Sequence, residues 1–333
     1  MKLSRVLLTL GLIGLGLIVV TNLGQLSTLT DALTDLRWYA VPLLVIMQVA
    51  SYSANARYYQ TFFAISGERL LFEKLFKTAI AINFANIAIP SGGVSGTTYL
   101  AQTLHDDVSA GQATLAQLAR YAFTALSFIV VLAFGFLMLF LGGSIAKVSV
   151  RLTMLIVLFA LVGAIVLILL FAERSLLERG LGLVVRFINY VAQVVFRRKA
   201  FLITQEQLTK FIDELYDGYH EVVGSSKDWP VLFWWALAGN ICEVLTLYVI
   251  FIGFGLWPNL GAVITAYTIA NAVSVLGLLS GGVGVYEAAM VAAFVALGQP
   301  FTLAFGVVIV YRGLSMLIFL PIGFYYYRQS LKP

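Results

Sequence analysis

"LLSGGVGVYEAAM", residues 278–290, sets Gly281, Gly282 and Gly284 within four positions and follows them with Glu287, inside a region that is otherwise apolar. Glycine in a helix interior costs about 1 kcal/mol relative to alanine, and a carboxylate at mid-bilayer costs about 3 kcal/mol. Both together mark a break. The segment reads as two short helices meeting at a glycine-rich elbow, with Glu287 in the first turn of the second. A matching segment lies upstream: "AINFANIAIPSGGVSGTTYLAQTL" is broken at Pro90, Gly92, Gly93 and Gly96.

The rest of the chain says what surrounds these elbows. Of 333 residues, 61% are hydrophobic and 11% charged, and the mean hydropathy is +0.95. Soluble domains carry about 25% charged residues, so the composition is that of a polytopic membrane protein. Six stretches are long and apolar enough to span a bilayer: 6–21, 38–66, 113–141, 150–172, 229–253 and 300–326. The first has a basic start but no small-x-small cleavage site, and reads as an uncleaved span. The net charge of +5 fits basic cytoplasmic loops better than nucleic acid. One cysteine, Cys242, allows no internal disulfide. His105 and His220 lie far apart without cysteine company, and no phosphate-loop motif occurs. No cofactor, metal site or nucleotide site is expected.

Basic residues set the orientation. With a cytoplasmic N-terminus, fifteen lysines and arginines fall inside and three, Arg37, Lys147 and Arg151, fall outside. Residues 78–104 then leave the cytoplasm and return to it, and residues 261–298 do the same from the other side. The expected fold is all-α: about six full spans plus two re-entrant hairpins in the cytoplasmic membrane, with both termini cytoplasmic. The loop 173–228 reads as a cytoplasmic helical insertion. Its stretch 176–199 is amphipathic, suited to anionic lipid head groups, and 204–223 is a second, mixed-charge helix.

The two halves repeat. Trp38 meets Trp229, Ser66-Gly67 meets Phe254-Gly255, Ser91-Gly92-Gly93-Val94 meets Ser280-Gly281-Gly282-Val283, and Leu126-Ser127 meets Leu314-Ser315, at offsets of 188 to 191. Residues 1–142 and 143–333 thus form two repeats of one membrane domain, inverted because each has an odd number of crossings. Inverted repeats with broken helices near the midplane build transporters with alternating access.

Helix N-termini at glycine elbows present free N–H groups to anions, although glycine also simply permits tight helix packing. Ser91, Gly92, Gly93, Ser280, Gly281, Gly282 and Gly284 are therefore candidate cavity-lining residues. Ionisable residues within spans are the sharper signal. At ~1.5 Å rise per residue, Arg312 and Glu243 lie roughly 18 and 21 Å into their spans, and Arg120 about 10 Å into its own. Arg120 and Arg312 are within one turn of equivalence and suit forked recognition of an anionic head group. Pairing of Arg312 with Glu287 or Glu243 in a structural brace is the alternative. Glu287 suits capping as well as binding. Asn83, Asn86, Asn240 and Asn271 add polar groups on the same elements, and Arg57 suits a structural role.

The elbow from Asn83 to Gly96, with "SGGVGVYEAAMVAAFVALG" (280–298) followed by Arg312, resembles the flippase-like membrane domain of lysylphosphatidylglycerol synthases and their standalone transmembrane relatives. The resemblance covers nearly the whole chain. It implies a lipid-translocase fold with re-entrant helices and an arginine-lined cavity, and it places Gly281, Gly282, Gly284, Glu287 and Arg312 on the family pattern. Two departures remove positive charge: Tyr286 stands where arginine is common, and "TTYLAQT" lacks the basic residue often found after the first elbow. With the chain ending at Pro333 and no aminoacyltransferase domain, lysine transfer is not expected.

The expectation is a lipid flippase-like transporter of an anionic phospholipid or polyprenyl-phosphate-linked lipid, and not an enzyme. An ion-coupled transporter of a small anionic solute is the alternative. A membrane enzyme using Asp106-Asp107 as a metal pair is a third, against which an ordinary solvated turn is the plainer account. Anionic membrane lipids are the expected partners, nucleic acid is not, and a homo-oligomer stays open.

Overall fold

The computed structural model describes residues 36–89, 93–142, 205–224, 226–277, 285–314 and 318–330, with single positions at 34, 175, 178, 179, 182 and 185. The expected spans 6–21 and 150–172, the amphipathic stretch 176–199 apart from four single positions, and Ser91, Gly92, Ser280, Gly281, Gly282 and Gly284 lie outside the described residues.

The described residues form ten α-helices and no strand: α1 (Ala40–Ile65), α2 (Phe72–Ala88), α3 (Val94–Thr103), α4 (Ala110–Leu141), α5 (Gln205–Gly224), α6 (Trp229–Gly253), α7 (Leu260–Gly277), α8 (Val285–Ala296), α9 (Phe301–Leu314) and α10 (Leu320–Ser330). Local chemistry explains several ends. Ser109 and Gln112 form a reciprocal capping box at the start of α4, and α6 opens with proline in its first turn.

Helix lengths and starts run in the order expected of a repeat. Helices α1 to α4 have 26, 17, 10 and 32 residues; α6 to α8 have 25, 18 and 12. The fourth position is covered by α9 and α10, with residues 315–317 between them undescribed. Helices α3 and α8, and α4 and α9, start 191 positions apart. Gly67 and Gly255, 188 apart, have φ +81° and +80°. Each closes its helix with the same pair of bonds: Gly67 N–H to Ala64 O and Glu68 N–H to Phe63 O; Gly255 N–H to Ile252 O and Leu256 N–H to Phe251 O. This is a left-handed cap that glycine forms without a Cβ clash.

Packing partners exchange under the same repeat. Helix α1 packs along α6, α2 against α10, and α7 against α4. The core of the first half is completed by Leu320 and Tyr327 from α10. The core of the second takes Val131 from α4 and Ala40 and Leu44 from α1. The halves are therefore interlocked. Gly135 and Gly323, also 188 apart, mark the two crossings. A Cβ on Gly135 would stand 2.5 Å from Ile264 Cγ2, and one on Gly323 would stand 2.7 Å from Phe84 Cβ. Helix α5 docks on the first half through Leu208, Ile212 and Leu215, and Glu214 Oε2 accepts from Gly111 N–H at 3.0 Å, at the positive end of α4.

Helices α4 and α6 are, among the described residues, long and apolar enough to cross a membrane. Val130, Phe134, Leu137, Phe140 and Leu141 stay exposed along α4, an apolar outer stripe that only lipid or protein would cover. The expected hairpin arms are corrected in one respect: they are unequal. Helices α2 and α7 run about 25 Å, nearly a bilayer, whereas α3 and α8 run about 15–18 Å. Of the four arms, only α3 and α8 are short.

Candidate functional site

A polar stripe runs down one face of α1. Gln48, Ser51, Asn55 and Tyr59 follow at spacings of three and four, which place them in line on a helix. Each reaches a different partner across the helix pair.

In the second half the stripe meets Glu243 of α6. Gln48 Nε2 donates to Glu243 Oε2 at 2.9 Å, Ser51 Oγ donates to Oε1 at 2.7 Å, and Tyr311 OH of α9 donates to Oε2 at 2.7 Å. Gln48 Nε2 also contacts Thr246 Oγ1 at 3.2 Å. One residue on, Arg312 Nε stands 2.6 Å from Glu287 Oε1 of α8, with 24% and 19% of the two side chains exposed. The N–H is not aligned with the carboxylate, so the contact is an ion pair and not a directed hydrogen bond. The guanidinium lies 4.4 Å over the Tyr286 ring. Tyr286 thus meets Arg312 through its π face.

In the first half the stripe meets Arg120 of α4. Its Nη1 donates to Asn55 Oδ1 at 2.8 Å, and the guanidinium lies 5.8 and 5.4 Å from the Tyr59 and Tyr121 rings. Tyr59 OH donates to Gln117. Arg120 Nε is buried without a partner, and no carboxylate among the described residues pairs with this arginine. Tyr121 OH reaches Gly93 O at 3.5 Å, and a Cβ on Gly93 would stand 2.3 Å from that hydroxyl. Gly93 itself has φ +90°.

Superposing the halves by offset gives an exchange. Asn55 corresponds to Glu243 at 188, and Arg120-Tyr121 to Tyr311-Arg312 at 191. The first position of each dyad reaches the long helix, α1 or α6, and the second reaches the elbow or the short helix after it. The residues have traded places. One half holds a guanidinium against a neutral amide; the other holds a carboxylate against neutral hydroxyls.

Several expectations change accordingly. The two arginines do not share a partner among the described residues; each sits in its own half's cluster. Of the open pairings for Arg312, the structure selects Glu287. Asn86 is a cap: its Oδ1 accepts from Gly96 N–H at 2.9 Å and Ser95 Oγ at 3.2 Å. It thereby takes part of the N-terminus of α3 that was expected to face an anion. Asn83 donates to Tyr52 OH at 2.7 Å. Asn240 joins Ser127 of α4 to Tyr267 of α7, and Asn271 bonds to the Tyr267 carbonyl of its own helix at 2.9 Å. Asn83 and Asn240 thus join neighbouring helices, whereas the Asn271 bond stays within α7. Arg57 sits 4.7 Å over Phe72 and bonds Gln60, as a structural role requires. Asp107 is held by Lys74 at 2.5 Å and Asp106 by His105 at 3.1 Å, and no metal-binding group is found among the described residues. A cavity of about 570 Å³ opens elsewhere, beside Lys74, Lys77, His105 and Tyr326; none of the candidate binding residues lines it.

Gln48, Ser51, Asn55, Tyr121 and Tyr311 were missed by the sequence reading. Two signals mark them: a polar line at helical spacing in an apolar span, and a tyrosine beside the arginine in both halves.

With this geometry in place, likeness to other proteins is decisive. Residues 6–323 match the family described as the lysylphosphatidylglycerol synthase TM region. The chain belongs to that family. It is a membrane protein, and the family match runs through both halves of the repeat. A UPF0104 membrane protein of Methanothermobacter thermautotrophicus is 27% identical over 193 residues, covering 55% of this chain and 56% of that one. The match thus spans little more than half the length of either protein. No solved structure matches the chain.

Proposed function

We propose that this protein is a lipid flippase-like transporter of the cytoplasmic membrane. It moves an anionic phospholipid or polyprenyl-phosphate-linked lipid between leaflets, without catalysing a reaction. The observation that carries the reading is Arg120: a guanidinium inside an apolar span, with a buried unpartnered Nε and no carboxylate among the described residues. Leaving such a charge unmatched costs several kcal/mol in a low-dielectric interior. A phosphate offers the missing partner in forked geometry. The adjacent elbow at Gly93 lets a head group approach backbone closely. In this reading both elbows re-enter the bilayer from opposite faces, both termini are cytoplasmic, and Arg312–Glu287 braces the second elbow.

Fluorescent phosphatidylglycerol in proteoliposomes tests it. Arg120→Ala should slow leaflet exchange about tenfold or more, the equivalent of one charge-assisted contact, and Arg120→Lys should restore only part. Unchanged exchange in Arg120→Ala removes this residue from the mechanism. A small anionic solute is the second reading, favoured by the enclosure of Arg120 between two tyrosine rings; entrapped-solute flux without lipid exchange would establish it.

A further inference from the structure

Glu243 is the counterpart of Arg120 in sign. Its two oxygens accept three hydrogen bonds, from Gln48, Ser51 and Tyr311, and a carboxylate has about four acceptor positions. Every donor is neutral, and no lysine, arginine or histidine among the described residues pairs with it. The carboxylate sits where α1 crosses α6, the one helix pair that the repeat maps onto itself. Neutral donors offset part of the cost of an ionised carboxylate inside an apolar span, but leave its charge unmatched by any cation among the described residues.

We infer that Glu243 is the seat of a small monovalent cation, a proton or Na⁺, that is taken up and released during transport. Its role in transport rests on the anion reading of Arg120; its existence as a site does not. The cage is built for either occupant. Ser51 and Tyr311 carry hydroxyls that donate to a bare carboxylate and turn their oxygens toward a cation. Ser51 then returns its proton to a carbonyl one turn earlier, as serines in apolar helices do. Rotation of the Gln48 amide presents its oxygen in place of Nε2, and Thr246 Oγ1 stands behind it to donate to that oxygen. Among the described residues, Tyr52 of α1, Cys242 of α6, Tyr267 of α7, Tyr286 of α8 and Tyr311 of α9 lie within reach of the Glu243 charge. The cation beside them, Arg312, lies over the Tyr286 ring and is paired with Glu287. One anion at Arg120 and one cation at Glu243 would make each transport cycle electroneutral, so that a cation gradient drives the anion.

Two measurements test the site. In the first, purified full-length protein is titrated with radioactive Na⁺ at fixed pH, and proton uptake is followed in weakly buffered solution without Na⁺. One of these cations should bind at about one per chain, and Glu243→Gln should abolish it. Ser51→Ala and Tyr311→Phe, which keep the carboxylate, should shift the half-saturating concentration by about threefold or more. In the second, phosphatidylglycerol exchange is measured in proteoliposomes under a Na⁺ gradient at equal pH, or a pH gradient without Na⁺. The gradient of the binding cation should speed wild-type exchange at least about fivefold, and the Glu243→Gln protein should not respond. Cation binding without lipid movement keeps the Glu243 site and overturns the lipid reading. Lipid movement with no Glu243-dependent binding or gradient response overturns the site and keeps the lipid reading. Should Glu243→Gln fail to fold, the Ser51→Ala and Tyr311→Phe shifts decide, and unaltered half-saturation in both counts against the site.

Discussion

Arg120 and Asn55 form a 2.8 Å contact in which only one partner is charged. The equivalent position in the other half is Glu243, so Asn55→Asp converts the first cluster into a permanent ion pair. That substitution should hold or raise thermal stability while weakening phosphatidylglycerol exchange about tenfold, because the new carboxylate competes with the lipid phosphate. Faster exchange in Asn55→Asp would contradict the assignment of Arg120. Arg312 and Glu287 present the opposite case, a pair already matched and only partly exposed. Glu287→Ala should cost about 1–3 kcal/mol, less than the loss of a fully buried pair. The Arg312→Ala/Glu287→Ala double variant should cost little more than either single one, and a thermal-shift cycle reads the difference. The intramembrane charges were plain from the sequence, since Arg120, Glu243 and Arg312 interrupt apolar spans. Their partners were not. A hydroxyl or amide in an apolar helix has no signature until the facing helix is known, and the offset of 188 to 191 left a turn of ambiguity in the arginines.

At the scale of elements, the glycines divide by what stands against them. Gly261 and Gly323 lie at helix crossings where a Cβ would meet backbone: Gly135 O at 2.3 Å and Ile80 O at 3.0 Å. Alanine at either should destabilise by about 1–3 kcal/mol through forced separation of the helices. Gly306→Ala, whose Cβ would find Phe254 at an ordinary 3.8 Å, should be neutral. Gly67→Ala acts through backbone strain alone and should cost about 1 kcal/mol, whereas Gly255→Ala adds a Cβ 3.0 Å from Arg37 Nη2 and should cost at least as much; a smaller loss at Gly255 than at Gly67 in thermal unfolding would contradict this. Helix ends were legible at Trp229 and Gly253, which bound the expected span 229–253, whereas α4 starts at Ala110, ahead of its expected span 113–141, because the Ser109–Gln112 capping box went unread. The unequal hairpin arms were not. An apolar run does not show where helix gives way to turn, and Phe72 to Lys77 read as loop because Glu73, Lys74 and Lys77 are charged.

Across the whole molecule, the two halves are interlocked, each core closed by a helix of the other. Removing residues 318–333 should therefore open the first half, exposing Phe84 and Tyr99 once Tyr327 is gone, while the second half keeps its core. Limited proteolysis should then cut between α2 and α3 before it cuts α6; simultaneous loss of both would show one indivisible unit. The left-handed glycine caps at Gly67 and Gly255 fall where the sequence matched Ser66-Gly67 with Phe254-Gly255. Exchange of the charged and neutral partners between halves was invisible, because it appears only when Asn55 and Glu243 are seen to hold equivalent places. The central claim is that the unmatched guanidinium of Arg120 receives the anionic group of the lipid. A structure of the protein in nanodiscs containing phosphatidylglycerol tests it most directly. The account predicts a phosphate oxygen about 2.7–2.9 Å from the Arg120 guanidinium, beside Gly93; a lipid phosphate bound elsewhere, with a protein carboxylate on Arg120, would contradict it.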